Sequence, residues 1–199
     1  MDLALFDFDG TITTHETMPA FVRATTGRPR LVAGYLLLWP VILGYKLGLV
    51  SGSRVRAAIV RVAYAGRSAA WLRTRGEAFA RDYLDRHLRP EAMRRIAWHR
   101  ARGDALMIVS GGLADYLQPW AVAHGLELSC SALESRRGRL TGRYAGPQCA
   151  GEEKARRAAA RFDLSAFDRI HAYGDTAEDE PLLAMATDRF YRTMPETAA

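Results

Sequence analysis

Lysine is almost missing from this chain. Of its 28 basic residues only Lys46 and Lys154 are lysine, the other 26 being arginine. A lysine kept at 154 against that background points to a position that needs a compact, rotatable ammonium, because the two cations are not interchangeable. Cysteine is equally scarce: Cys130 and Cys149 stand alone, without the spacing of a metal-thiolate site. Together with Asp2 and a strand-like run directly behind it, in place of an export sequence, they suit a reducing cytosol. The net charge of +6 and pI near 9.7 favour anionic partners. No basic patch is interleaved with aromatics, however, and no nucleic-acid module is recognisable, so no nucleic-acid partner is expected. An apolar fraction of 49% over 199 residues fits one principal domain with a modest insertion.

Three short apolar runs stand out. Residues 3–7, 105–109 and 169–173 each read as a buried strand, and each releases polar residues at its carboxyl end: Asp7, then Ser110-Gly111-Gly112, then Gly174-Asp175. Parallel strands would bring those groups together on one rim of a sheet. Helix-compatible stretches at 113–124 and 152–162 complete the strand–helix alternation of an α/β domain. Residues 126–133 and 139–144 read as a small antiparallel hairpin.

Residues 14–100 break that alternation. Rich in Ala, Leu and Arg, they are too long for one crossover helix and read as an inserted helical cap, leaving 1–13 and 101–199 as the core domain. A cap over the rim excludes water and contacts substrate. Within it, 31–50 contains 15 residues without a charge before Lys46, with Pro40 in the middle. Roughly 20 apolar residues are needed to span a bilayer, and proline kinks or divides a helix. The run reads first as a pair of buried cap helices, next as an apolar surface that seats in a bilayer or receives a lipid tail, and last as a membrane-spanning helix.

The rim residues carry a consistent chemistry. Asp7 and Asp9, separated by Phe8, can approach one ligand only if the chain turns near Asp9, and Gly10 permits that turn. Asp7 is then placed to attack phosphorus, and Asp9 to protonate a leaving alkoxide and deprotonate water. Ser110 and the amides around Gly111 form a candidate phosphate nest, with Thr11 as a further donor and Lys154 as the neutralising cation. Asp7, the Asp9 backbone carbonyl and Asp175 offer the hard oxygens of a Mg²⁺ site, while Asp179 holds a metal-bound water or orients Lys154. Each residue has a plainer alternative: a turn-capping acid pair, a helix N-cap at Thr11, a surface lysine, an acidic helix start.

In combination, DFDGT at 7–11, SGG at 110–112, GEEK at 151–154 and GDTAED at 174–179 resemble the four motifs of the haloacid-dehalogenase superfamily. The likeness is to its subfamily IB, the phosphoserine-phosphatase-like branch. It implies a Rossmann-like core with a central parallel sheet and inserted cap, and a Mg²⁺-dependent phosphatase working through an aspartyl-phosphate. Asp7 would be the nucleophile and Asp9 the general acid/base. Thr11, Ser110 and Lys154 would bind phosphate, with Asp175 and Asp179 at the metal.

Substrate candidates diverge. Glu16 matches the glutamate that contacts the substrate amine in phosphoserine phosphatases, although it equally suits a helix cap. Glu178 stands where asparagine is usual, and Arg54 and Arg56 are merely eligible to read a carboxylate. The apolar run 31–50 is more similar to phosphatidylglycerophosphate-phosphatase-like relatives. The expectation is a lipid phosphate, or a small phosphate ester with an apolar or polyol part. Phosphoserine or an amino-alcohol phosphate such as histidinol phosphate is the alternative substrate, and a noncatalytic membrane-peripheral binding module the alternative function. The expected location is the cytoplasm, with possible peripheral contact on the inner face of the membrane.

Overall fold

In the computed structural model, residues 1–195 are described; the last four positions of the expected core range, 196–199, lie outside them. The chain opens with strand β1 (Leu3–Phe6). Five helices follow before the next strand: α1 (Met18–Thr25), α2 (Arg28–Lys46), α3 (Gly52–Tyr64), α4 (Ala69–Asp82) and α5 (Pro90–Ala101). The remainder alternates: β2 (Ala105–Leu113), α6 (Ala114–Ala123), β3 (Glu127–Ser131), β4 (Leu133–Arg136), β5 (Arg139–Tyr144), α7 (Glu152–Arg161), β6 (Ile170–Gly174), α8 (Glu180–Ala184) and β7 (Asp188–Tyr191).

Five strands form one parallel sheet in the order β3-β2-β1-β6-β7. Strand periodicity explains its two-sided burial. Leu3 and Leu5 point to the face packed by Ala158 of α7 and Leu182 and Leu183 of α8. Ala4 and Phe6 point to the other, with Ile96 of α5 and Leu117 and Trp120 of α6. Helix α5 also reaches the sheet through polar atoms. Arg95 donates to the Tyr173 hydroxyl at 2.6 Å, and His99 lies between that hydroxyl and Asp104, 2.9 Å from each. The central strand has β2 on one side and β6 on the other, so the chain changes winding direction there and leaves a crevice at the carboxyl edge.

Two expectations need correction. Residues 127–131 belong to the parallel sheet as β3, and β5 instead pairs antiparallel with β4 at 133–136. Cross-strand partners for 127–131 come from β2, which continues through Ser110, Gly111 and Gly112 to Leu113 rather than stopping at 109. The apolar run as far as Lys46 is one helix, α2, with Pro40 inside it, and of the helix's residues only Gly34 is buried. It is not a pair of buried helices. Arg30 fixes its start, donating to the Val62 and Ala65 carbonyls at the end of α3 at 2.6 and 2.8 Å.

The cap is tightly seated where α4 crosses α6. A Cβ on Gly76 would fall 1.8 Å from the Asp115 carbonyl oxygen, a backbone-to-backbone approach that only glycine allows. A larger residue there would push α4 off the core.

Candidate active site

The crevice gathers residues from four places in the chain. Asp7 leaves β1 with its amide bonded to the Tyr173 carbonyl of β6, which continues the sheet up to the rim. Its carboxylate is buried and receives Lys154 Nζ at 2.5 Å. Lys154 sits in the first turn of α7 and also donates to Asp179 Oδ1 at 2.5 Å, so one ammonium bridges two buried acids. Burial pushes the Asp7 carboxyl up to about 7 despite the opposing pull of Lys154. Burial lowers the Lys154 ammonium, but the two carboxylates outweigh it and the net shift is upward. The lysine stays charged.

Asp9 is held from the cap side. Its Oδ1 accepts from the Thr17 amide at 2.8 Å and the Thr17 hydroxyl at 2.6 Å, while the Tyr116 hydroxyl lies 3.2 Å from that of Thr17. Burial again dominates and raises Asp9 to about 6, although Thr17 favours the anion. Nothing in the sequence pointed to Thr17 or Tyr116; Thr-Met-Pro reads only as a helix start.

Gly10 makes the turn that brings both aspartates to the site. Its φ is +79°, and a Cβ there would lie 2.3 Å from Asp175 Oδ2. Turn geometry and the close approach of the second acid loop therefore both require glycine. Asp175 Oδ1 accepts from the Thr11 hydroxyl at 3.3 Å. That engagement turns Thr11 toward the acid loop, away from the pocket lined by Ser110 and Lys154, where a phosphate ligand would be expected.

Asp179 is saturated. Its Oδ2 accepts from the Asp175 and Thr176 amides and the Thr176 hydroxyl at 2.9–3.1 Å, and its Oδ1 takes Lys154. These bonds outweigh desolvation and hold its carboxyl below the usual range. Oxygens of Asp7, Asp175 and Asp179 all lie within 4.8 Å of one another. Such a purely carboxylate donor set suits a hard divalent cation. With both Asp179 oxygens engaged, Asp7 and Asp175 are the freer direct ligands.

The pocket above Asp7 and Asp9 is about 40 Å³ and is lined by Ser110, Gly111, Lys154, Thr176, Glu16 and Met18. The Ser110 hydroxyl oxygen accepts from the Gly112 amide at 3.0 Å, leaving its proton for a ligand. Arg56 and Glu178 complete the mouth. The Arg56 guanidinium meets both Glu178 oxygens at 2.9 and 3.0 Å and donates to Gln148 at 3.1 Å, joining the cap to the core. Arg54, one helical position pair away, is exposed and does not line the pocket.

Known proteins resemble this chain along nearly its whole length. The protein CicA of Caulobacter vibrioides is 33% identical over 192 residues, covering 96% of this chain and 85% of its own. A solved structure of a Bordetella pertussis protein of unknown function superposes with a TM-score of 0.78 at 26% identity, covering 94% and 87% of the two chains. A probable phosphoserine phosphatase from Vibrio cholerae superposes at 0.67 over 93% of this chain and 54% of its own; at 19% identity it shares the fold alone. The haloacid dehalogenase-like hydrolase family model matches residues 4–184, which spans every side chain of the crevice. With the parallel sheet, the inserted helices and the acid–lysine cluster in place, the chain belongs to the haloacid dehalogenase-like hydrolases.

Proposed function

We propose that this enzyme is a magnesium-dependent phosphomonoester phosphatase that works through an aspartyl-phosphate on Asp7. The observation that carries the reading is the buried Asp7–Lys154–Asp179 chain beside Asp9 and Ser110. In this reading Asp7, Asp175 and the Asp9 carbonyl would hold Mg²⁺, while Asp179, with both oxygens engaged, would orient Lys154. When bound, the ion would supply neutralising charge for the phosphoryl oxygens. Thr11 orients Asp175, Ser110 and the Gly111 amide donate to phosphate oxygens, and Lys154 neutralises them.

The first step forms a bond from an Asp7 oxygen to phosphorus and breaks the ester P–O bond. Asp9, whose carboxyl burial pushes up to about 6, gives its proton to the departing alkoxide. A water then attacks phosphorus, Asp9 takes its proton, and the P–O bond to Asp7 breaks to release phosphate. Thr17 fixes one Asp9 oxygen through both steps and leaves the other for the proton.

A cavity of about 40 Å³ has room for little beyond a phosphoryl group, so the alcohol part of the ester projects through the mouth between Glu16, Met18 and Arg56. That favours a substrate whose bulk lies outside: a lipid phosphate, or an ester with an apolar or polyol part. A second reading, an amino-alcohol phosphate, is favoured by the two carboxylates at the mouth, Glu16 and Glu178. Phosphoserine itself fits less well, because Arg56 is already paired with Glu178 and a substrate carboxylate would have to displace it. We also propose the division into a core and a cap inserted after the first strand. The cap's return lies nearer Arg89 than 100, since α5 packs on the sheet.

Phosphate release with Mg²⁺ across phosphatidylglycerophosphate in mixed micelles, phosphoserine and histidinol phosphate tests the reading. Release that requires Mg²⁺ and is fastest on the lipid is expected. No release from any ester, or release unaffected by chelation, would overturn it.

A further inference from the structure

Helix α2 contrasts with everything around it. Nine of the twelve large apolar side chains left exposed among the described residues fall between 32 and 49, including Leu36 at 71%, Leu37 at 66% and Trp39 at 59% exposure. The charge pattern is as uneven. Between Glu16 and Glu77 there is no acidic residue, while ten basic residues occur. The cap is thus strongly cationic although the remaining chain is net acidic. Arg28 and Lys46 mark the two ends of α2, and Arg23, Arg54 and Arg61 are exposed nearby.

We propose that α2 is a membrane-docking element, lying in the interface of an anionic lipid bilayer with its apolar body at the acyl boundary and its flanking cations on the headgroups. Apolar area and electrostatic attraction are the two contributions that hold an interfacial helix. A second copy of this chain is disfavoured as the occupant, since two such cationic surfaces would face each other. Spanning is excluded on two grounds. No helix among the described residues is long and apolar enough to cross a membrane. Pro40 also has no amide to offer the Leu36 carbonyl, an acceptor that headgroup water can satisfy and hydrocarbon cannot.

The docking surface adjoins the catalytic mouth. Gly52 lies between the two: a Cβ on it would stand 3.7 Å from the Tyr45 ring at the end of α2 and 3.0 Å from Glu178 at the pocket rim. The apolar surface also runs into a groove of about 180 Å³ between α1, α2 and α3, lined by Val22, Leu31, Leu38 and Ile59. A bilayer held by α2 would therefore meet the enzyme on the side of its active-site opening. The docking itself needs no turnover, so its test is separate from that of the phosphatase reading.

The full chain is mixed with vesicles of phosphatidylglycerol and phosphatidylcholine, and with phosphatidylcholine alone, and sedimented. Binding only to the anionic vesicles, weakened by added salt, is expected, with a blue shift of tryptophan emission that disappears in Trp39→Phe. The double substitution Leu36→Ser, Leu37→Ser should weaken binding at least about tenfold while the far-UV spectrum, the melting curve and turnover of para-nitrophenyl phosphate are kept. Three results would overturn the proposal: a folded wild-type chain that stays in the supernatant, equal binding to neutral vesicles, or unchanged binding by the double variant. Self-association in solution that the double variant abolishes would overturn it too, by making a second copy the occupant.

Discussion

The sheet rim and helix α2 solve opposite problems. At the rim, charges that would be expensive alone are buried together: Asp7, Lys154 and Asp179 are each nearly or fully buried, and each is another's partner. On α2, apolar side chains that could have been buried are left outside, with no partner among the described residues. The first arrangement puts stability into a site that must hold ionised groups in place. The second forgoes roughly 1.5–3 kcal/mol for each large side chain left exposed. A fold keeps either only where something else gains by it. The comparison predicts that rim substitutions act on chemistry and stability together, whereas α2 substitutions touch neither.

The largest effect is expected at Asp7. Asp7→Asn preserves shape but removes the proposed nucleophile, and turnover of para-nitrophenyl phosphate should fall by about 10⁴-fold or more. Its circular dichroism should match the wild type. Near-normal turnover by a protein shown to be free of contaminating phosphatase would sink the covalent step and, with it, the claim that the rim is organised for catalysis.

Lys154 follows. Lys154→Met leaves Asp7 and Asp179 facing each other across a buried gap, so activity should fall by about 10³-fold and stability by about 3–5 kcal/mol. Lys154→Arg should also be poor, because a planar guanidinium cannot bridge two carboxylates each 2.5 Å from a single nitrogen. Urea denaturation read beside kcat separates the two losses. An arginine variant with full activity would break the argument that the chain reserves one of its two lysines for this point.

How much of this was legible beforehand divides along the same line. The rim was readable because strand ends converge by geometry alone: DFDGT, SGG, GEEK and GDTAED each follow an apolar run or open a helix. Contacts made across the cap were not. Thr17 on Asp9 and Arg56 on Glu178 join residues whose nearness depends on how the inserted helices settle. The strand assignment failed at 127–131 for a different reason: the partner is β2, distant in sequence, and not the segment across the nearest turn. Uncharged residues at 31–45 pointed to something unusual, but burial and exposure of an apolar helix look alike in sequence. Only the packing told them apart.

A smaller effect should appear with pH, behind the sheet. His99 is fully buried against Asp104 and Tyr173, and burial lowers its imidazole to about 4 from an ordinary value of 6.5. The unfolded chain therefore takes up a proton below about 6.5 that the folded one refuses until about 4, so stability falls as pH drops through that window. The loss from this residue is about 2 kcal/mol between pH 7 and 5. Asp7 and Asp9, whose carboxyls are raised, act with the opposite sign over part of the same range. Comparing the wild type with His99→Gln isolates the histidine, because the rim acids are common to both. The wild type should lose more stability on acidification than the variant; parallel slopes would mean that His99 is protonated inside the fold.

The smallest effect is the most discriminating. Leu36→Ser and Leu37→Ser replace side chains that are 71% and 66% exposed and lie outside both apolar cores. If α2 is kept apolar for a partner and not for the fold, the double variant should unfold within about 0.5 kcal/mol of the wild type. An added serine lowers helix propensity by only a few tenths of a kcal/mol relative to leucine, and less apolar surface remains in water. Leu72 is the natural contrast, being fully buried within α4. Leu72→Ala should cost about 2–5 kcal/mol, with a cavity left behind. Both variants are measured by urea denaturation in the absence of lipid. A double variant as unstable as Leu72→Ala would place Leu36 and Leu37 in the cap's own packing, and the contrast between a buried rim and an offered helix would fail at its weaker end.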